Sequence, residues 1–314
     1  MAEAVRPAAA GEAGGGGITF RQRRQLFMLA LGLPAVVYVI LVAVWPIAQG
    51  LWYSLYDYNL LKPRQTEFVG LGNYARFLSD PDAFRSIVNT FVFTIASVGI
   101  EFVLGFIVAL LLWRDDNFNR MVLPFILLPL AITPLVFGLV ASALLGAEFG
   151  LVGYYLAEWG ISDPRGVFAD PFQAMLALIL IDVWQWTPLM ALILLAGLKA
   201  LPGDILEAAE VDGATSGQRF VIIVVPLLLP AIFLALVLRT MDAFRVFDSV
   251  FVTTRGGPGE STNVLMYFAV KEGLEFFNIG FASAIAMVTL ACIGVFAAVF
   301  ILLIRSADRR ANLT

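Results

Sequence analysis

Apolar residues in this chain come in long unbroken runs, not in the short periodic stripes of a soluble fold. Four stretches carry no charge over a bilayer-crossing length: 26–56, 121–147, 220–238 and 276–304. Two more, 87–113 and 172–198, are interrupted by one acid each, Glu101 and Asp182. A helix rises about 1.5 Å per residue, so roughly 20 apolar residues cross a hydrocarbon layer ~30 Å thick. The pattern predicts an all-α membrane protein with six transmembrane helices, near 27–50, 87–113, 121–146, 173–198, 219–246 and 280–304. Segments 149–159 and 264–270 are too short to cross and read as interfacial or re-entrant pieces.

Composition agrees with the pattern. The chain of 314 residues is 60% hydrophobic and 14% charged, whereas a soluble domain carries about 25% charge. A net charge of −4 with no basic run argues against nucleic acid. The single cysteine, Cys292, rules out a disulfide framework, and the absence of histidine excludes imidazole catalysis and the usual zinc ligand sets.

The Ala/Gly-rich start predicts a disordered tail over 1–24, followed by a membrane domain over 25–305 and a second tail over 306–314. The first apolar run is far longer than a signal-peptide core and reads as an uncleaved anchor. Arg21, Arg23 and Arg24 flank one end of the first span, and Arg305, Arg309 and Arg310 follow the last. By the positive-inside rule both termini are expected on the cytoplasmic side. Pro124, Pro129 and Pro134 fall within the third span, where each removes a backbone donor and can kink the helix.

Between the fourth and fifth spans lies Leu201-Pro-Gly-Asp-Ile-Leu-Glu-Ala-Ala-Glu-Val-Asp-Gly213. Asp204 is expected as the N-cap of a short helix over 204–213, with Glu207 completing a capping box and Gly213 supplying a left-handed stop. Two helical turns are unstable alone in water, so this segment is expected to lie against something. Ala208 and Ala209 are small enough to let a partner surface come close.

Here the sequence resembles a known family. Glu207-Ala208-Ala209, then Gly213, then Ile223-Val-Val-Pro226, matches the spacing of the EAA loop in the permease subunits of binding-protein-dependent ABC sugar importers, with Val225 in place of the usual leucine. Asp212-Gly213-Ala214, Arg219-Phe220, Phe247-Asp248 and Gly256-Gly257-Pro258-Gly259 also look like the maltose and glycerol-phosphate type. The resemblance implies the type I importer fold, with residues 204–213 as a cytoplasmic coupling helix. Glu207, Ala208, Ala209, Asp212 and Gly213 would then meet an ATPase subunit. It also implies a second permease subunit in a heterodimer, two ATPase subunits that bind ATP and Mg, and an extracytoplasmic solute-binding protein. On that reading this chain is expected to hold no cofactor or metal and to leave ATP hydrolysis to its partners. No G-x-x-x-x-G-K-[ST] motif occurs to cradle phosphate.

Polar groups inside spans are the solute-pathway candidates. Asp182, Gln185 and Trp186 share one helical face, and Trp184 lies beside it. The family match makes Trp184 the sugar-stacking tryptophan. It also sets Asp242 and Arg245 at positions of sugar-contacting amides, although the two could simply neutralise each other. Glu101 is expected to pair with another helix or subunit, and Asn89 and Thr94 are weaker candidates. The glycine run 256–259 is either a loop reaching towards the binding protein or a tight reversal. The expected solute is a carbohydrate, foremost a disaccharide such as trehalose or maltose. Glycerol 3-phosphate or a polyol is the alternative within the class. An ion-coupled secondary transporter, with Glu101 and Asp182 as ion sites, and a membrane-embedded enzyme are the readings outside it.

Overall fold

The computed structural model describes residues 20–114, 116–146 and 149–311. Most of the expected N-terminal tail, residues 1–19, and the last three residues of the expected C-terminal tail lie outside the described residues. The chain divides into two compact units, 1–49 and 50–314. The first holds α1 (Phe20–Val39), a π-helical turn over Ile40–Val44, and the start of α2 (Trp45–Ser54). Helix therefore begins at Phe20, inside the stretch 1–24 expected as a tail.

In the second unit, β1 (Tyr56–Asp57) pairs antiparallel with β2 (Glu67–Phe68) ahead of α3 (Gly72–Ser79). Next comes α4 (Pro81–Leu112), whose start lies six residues before the expected 87. The reason is local: Asp80 accepts from the backbone N–H groups of Asp82 and Ala83, and Pro81 occupies the first helical position. Such a cap satisfies orphan donors, and proline there loses no hydrogen bond. The same Asp-Pro start opens α8 (Pro171–Lys199), where Asp170 accepts from Gln173 N at 2.9 Å.

The expected third span, 121–146, is not one helix. It consists of α5 (Asn117–Leu127), a 3-10 turn over Leu128–Ala131, and α6 (Pro134–Leu145), bent by 90° at the break. Pro129 and Pro134 both lie where the ladder fails, as proline chemistry requires. A short helix, α7 (Leu151–Glu158), precedes α8. Among the described residues, five helical stretches are long and apolar enough to cross a membrane, or six if the bent pair is counted as one span.

After α8 come α9 (Gly203–Val211) and α10 (Ser216–Arg219). A π-helical turn over Phe220–Val224 then leads into α11 (Val225–Ala243). Helices α12 (Asp248–Thr253) and α13 (Leu265–Val270) are short, and α14 (Ile279–Ala311) is the last. Residues 306–311, expected as a tail, continue α14. The segment around α13 is buried, with Leu265, Tyr267 and Phe268 each under 6% exposed, so it is a packed element of the bundle.

The glycine run between α12 and α13 forms a tight reversal. Gly256 and Gly259 take φ of +81° and +56°, in the left-handed region glycine tolerates. Asn89 of α4 donates to the carbonyls of Glu260 and Asn263 at 2.9 and 3.0 Å, tying the reversal to the bundle. Asn89 thus serves the scaffold.

The core centres on the pair α4 and α8. Gly105 lets them approach closely: a Cβ placed there would sit 2.7 Å from Met190 Cγ and 3.0 Å from the Ala191 backbone nitrogen. Phe93, Leu178, Met190, Leu194 and Leu228 fill the surrounding cluster. A second cluster, built on Phe77, Phe244, Leu265, Phe281 and Ile285, packs α3, α13 and α14 together.

Candidate functional site

Midway along α8, Asp182 is about 17 Å along the helix from Pro171 at 1.5 Å per residue. Its face opens on a cleft of about 80 Å³, lined by Asp182, Gln185 and Trp186 from α8, by Asp242 from α11, and by Arg245 and Phe247 beyond it. Five of the six expected pathway residues thus share one cleft. The sixth, Trp184, does not.

Trp184 points elsewhere, stacked face to face on Phe137 of α6 at 4.6 Å between ring centroids. It lines an apolar cavity of about 600 Å³ together with Val152, Leu156, Phe172 and Leu180. Two residues along a helix turn about 200°, so Trp184 and Trp186 cannot face the same cleft. Trp186 is the tryptophan of the polar site.

Gln185 lines the cleft and also has a partner within the bundle. It is 4% exposed, and its Nε2 donates to the carbonyl of Ile132 at 2.9 Å. That carbonyl stands at the break between α5 and α6, outside both helical segments. Gln185 supplies it with a donor.

The site is organised by a residue the sequence pattern did not single out. Arg239 is 1% exposed and donates through Nε and Nη2 to both oxygens of Glu101, at 2.6 and 2.7 Å. Nη2 also reaches Asp182 Oδ2 at 2.8 Å, and Nη1 reaches Asp242 Oδ2 at 2.7 Å. The guanidinium lies 4.9 Å from the centre of the Trp186 ring. Arg239 escapes the sequence reading because an arginine just after an apolar run resembles a side chain reaching back to the interface. Two in-span acids, Glu101 and Asp182, were the signal that a buried cation had to exist. Glu101 does pair with another helix, α11. Asp242 and Arg245 are also in contact, at 3.5 Å with both side chains substantially exposed, but the short partner of Asp242 is Arg239.

Helix α9 departs from its expected capping. Pro202 is the N-cap and makes no side-chain cap bond, so Asp204 stands inside the first turn and no capping box with Glu207 forms. Gly203 already adopts helical geometry, which moves the start one residue earlier. The capping box of this region belongs to α10, where Thr215 and Gln218 bond each other's backbone groups. The stop of α9 is a Schellman turn: Gly213 takes φ +81°, Ala214 N bonds Ala209 O, and Gly213 N bonds Glu210 O, both at 3.0 Å. Glu207, Ala208, Asp212 and Gly213 are exposed and Ala209 half-buried, while Leu206 packs on the main core. Arg219 pairs with Glu210 at 2.5 Å, bridging α9 to α10.

A bundle of spans with a proline-broken helix, a charged cleft beside the middle of α8 and an exposed short helix after it fits a membrane permease. The chain belongs to the family of binding-protein-dependent transport system inner membrane components, whose model matches residues 101–312. It is 36% identical to the trehalose transport system permease protein SugA of Mycobacterium tuberculosis, over 93% of this chain and 92% of that one. It is 34% identical to the trehalose/maltose transport system permease protein MalF of Thermococcus litoralis, over 90% and 95%. The fold is that of a bacterial ABC transporter involved in import of the acidic polysaccharide alginate, with a TM-score of 0.74, 18% identity, and coverage of 91% and 96%. Family membership makes the chain a transporter subunit and not an enzyme, and sets aside the ion-coupled reading.

Proposed function

We propose that this chain passes a disaccharide of the trehalose or maltose kind across the membrane as one half of a permease pair. Its partners would be a second, related permease, two ATPase subunits carrying ATP and Mg, and an extracytoplasmic binding protein that delivers the solute. The observation that carries the reading is the cleft at the middle of α8. It sets an aromatic ring, Trp186, beside the acceptors of Asp242 and the donors of Arg245. A sugar needs both a ring for its C–H face and hydrogen-bonding groups for its hydroxyls. Relatives named as trehalose and trehalose/maltose permeases support that class of carbohydrate.

Both termini, with α9 and α10, would lie on the cytoplasmic side. ATP-driven closure of the ATPases would push on α9 through Glu207, Ala208, Ala209, Asp212 and Gly213, and the spans would rock between outward- and inward-open states. The support is physical: α9 is short and capped at its C-terminal end. Its outer surface is exposed, with Val211 at 87%. The test is reconstitution of the purified complex with its binding protein, then ATP hydrolysis measured with trehalose, maltose, glycerol 3-phosphate and a polyol. Stimulation by a disaccharide is expected. Stimulation by glycerol 3-phosphate alone would overturn the choice of solute, and hydrolysis unaltered by Glu207→Ala and Gly213→Val would overturn the coupling role.

A further inference from the structure

One guanidinium is shared by three carboxylates that arrive on three different helices. Glu101 comes from α4, Asp182 from α8 and Asp242 from α11, the helix of Arg239 itself. Their side-chain exposures rise in sequence, 0%, 9% and 41%, from the interior outward to the cleft. Glu101 therefore acts as the fixed end and Asp242 as the free end of one network.

Stability alone is a poor reason for such a cluster. Buried ion pairs replaced by well-packed apolar groups often cost nothing, because desolvation offsets the mutual attraction. What the charges add is direction. The two-pronged contact of Nε and Nη2 on Glu101 fixes the plane of the guanidinium, as a planar fork does. With that plane set, Nη1 has one orientation, and it holds Asp242 Oδ2 at 2.7 Å. The second oxygen of Asp242 is left towards Arg245 and the cleft. The same plane also meets Trp186, whose ring centre is 4.9 Å away. The ring and the exposed carboxylate that line the cleft are thus both referenced to one buried cation.

We propose that Arg239 is the positioning residue of the solute cleft, with Glu101 as its anchor: it aims the Asp242 carboxylate and seats the Trp186 ring for the passing solute. The proposal rests on the cleft being the solute path. Lysine in its place keeps the charge but cannot fork onto Glu101 and reach Asp242 together.

The test uses the full complex in proteoliposomes with radiolabelled trehalose and maltose, recording solute taken up per ATP hydrolysed. Two variants are compared: Arg239→Lys, and the pair Glu101→Gln with Arg239→Gln, whose amides still bond across α4 and α11. Both should lower the ratio of uptake to hydrolysis by about tenfold, the order of one lost charge-assisted contact. A purely structural role would lower uptake and hydrolysis together and leave the ratio alone. An unchanged ratio in either assembled variant overturns the proposal, as does failure of both to assemble. Should the wild-type complex take up neither sugar, the solute reading fails by itself, and the structure of the Arg239→Lys complex decides the positioning. Asp242 and Trp186 displaced from the cleft would support it, and both unmoved would overturn it.

Discussion

Trp184 lies flat against Phe137, with an angle of 9° between the rings, while Trp186 two residues later faces the Arg239 guanidinium. The two tryptophans therefore do different jobs. Trp184 joins α8 to α6 across an apolar cavity, and an aromatic pair of this kind contributes about 0.5–1.5 kcal/mol beyond its burial. Trp184→Phe preserves a ring for that stack, so uptake should stay within about twofold of wild type, whereas Trp186→Ala should lower it by about tenfold. Uptake of labelled disaccharide into vesicles, normalised to complex in the membrane, checks this. The reverse ranking would return the solute to Trp184.

The spans were readable because an apolar run of bilayer length admits few other interpretations, and the family motif was readable because its residues are adjacent in sequence. What escaped was long-range pairing. Arg239 meets Glu101 across 138 positions of chain, a relationship with no local signature. Gln185 meets Ile132 only because the third span breaks, and proline content alone does not say whether a helix bends slightly or by 90°. The capping of α9 differs from the motif for a smaller reason. Pro202 precedes Gly203, and proline at the boundary sets the entry so that the helix starts ahead of Asp204.

The Gln185 contact has a measurable consequence. In a membrane interior an unpaired carbonyl finds no water, so Gln185→Leu leaves the Ile132 oxygen without its donor. A buried orphan acceptor costs about 1–3 kcal/mol. The variant complex should therefore lose its fold at lower temperature in detergent. An unshifted thermal transition in Gln185→Leu would mean the break is held by other contacts.

Close approach of α4 and α8 depends on Gly105. Valine there would meet Met190 and the Ala191 backbone, and only the methionine can move aside. Gly105→Val should separate the two helices and reduce the amount of assembled complex recovered from membranes, by more than Gly99→Val, since nothing lies within 4 Å of a Cβ at Gly99. Equal recovery of the two variants would show that the pair tolerates a wider spacing.

The last prediction concerns the turn that links α9 to α10. Gly213 sits at φ +81°, which costs an L-residue roughly 1 kcal/mol, and loss of the Thr215 cap costs about the same. Gly213→Ala and Thr215→Ala therefore weaken the same corner by similar amounts, one by straining the stop of α9 and the other by freeing the start of α10. If α9 transmits force as a rigid lever, both should lower binding-protein-stimulated ATP hydrolysis, and the double variant should fall further still. The Glu210–Arg219 bridge spans the same corner but is largely exposed on its glutamate side, and exposed pairs contribute little. Glu210→Gln should thus leave hydrolysis near wild type. A strong loss in Glu210→Gln with Gly213→Ala unaffected would move the lever from the backbone turn to the ion pair.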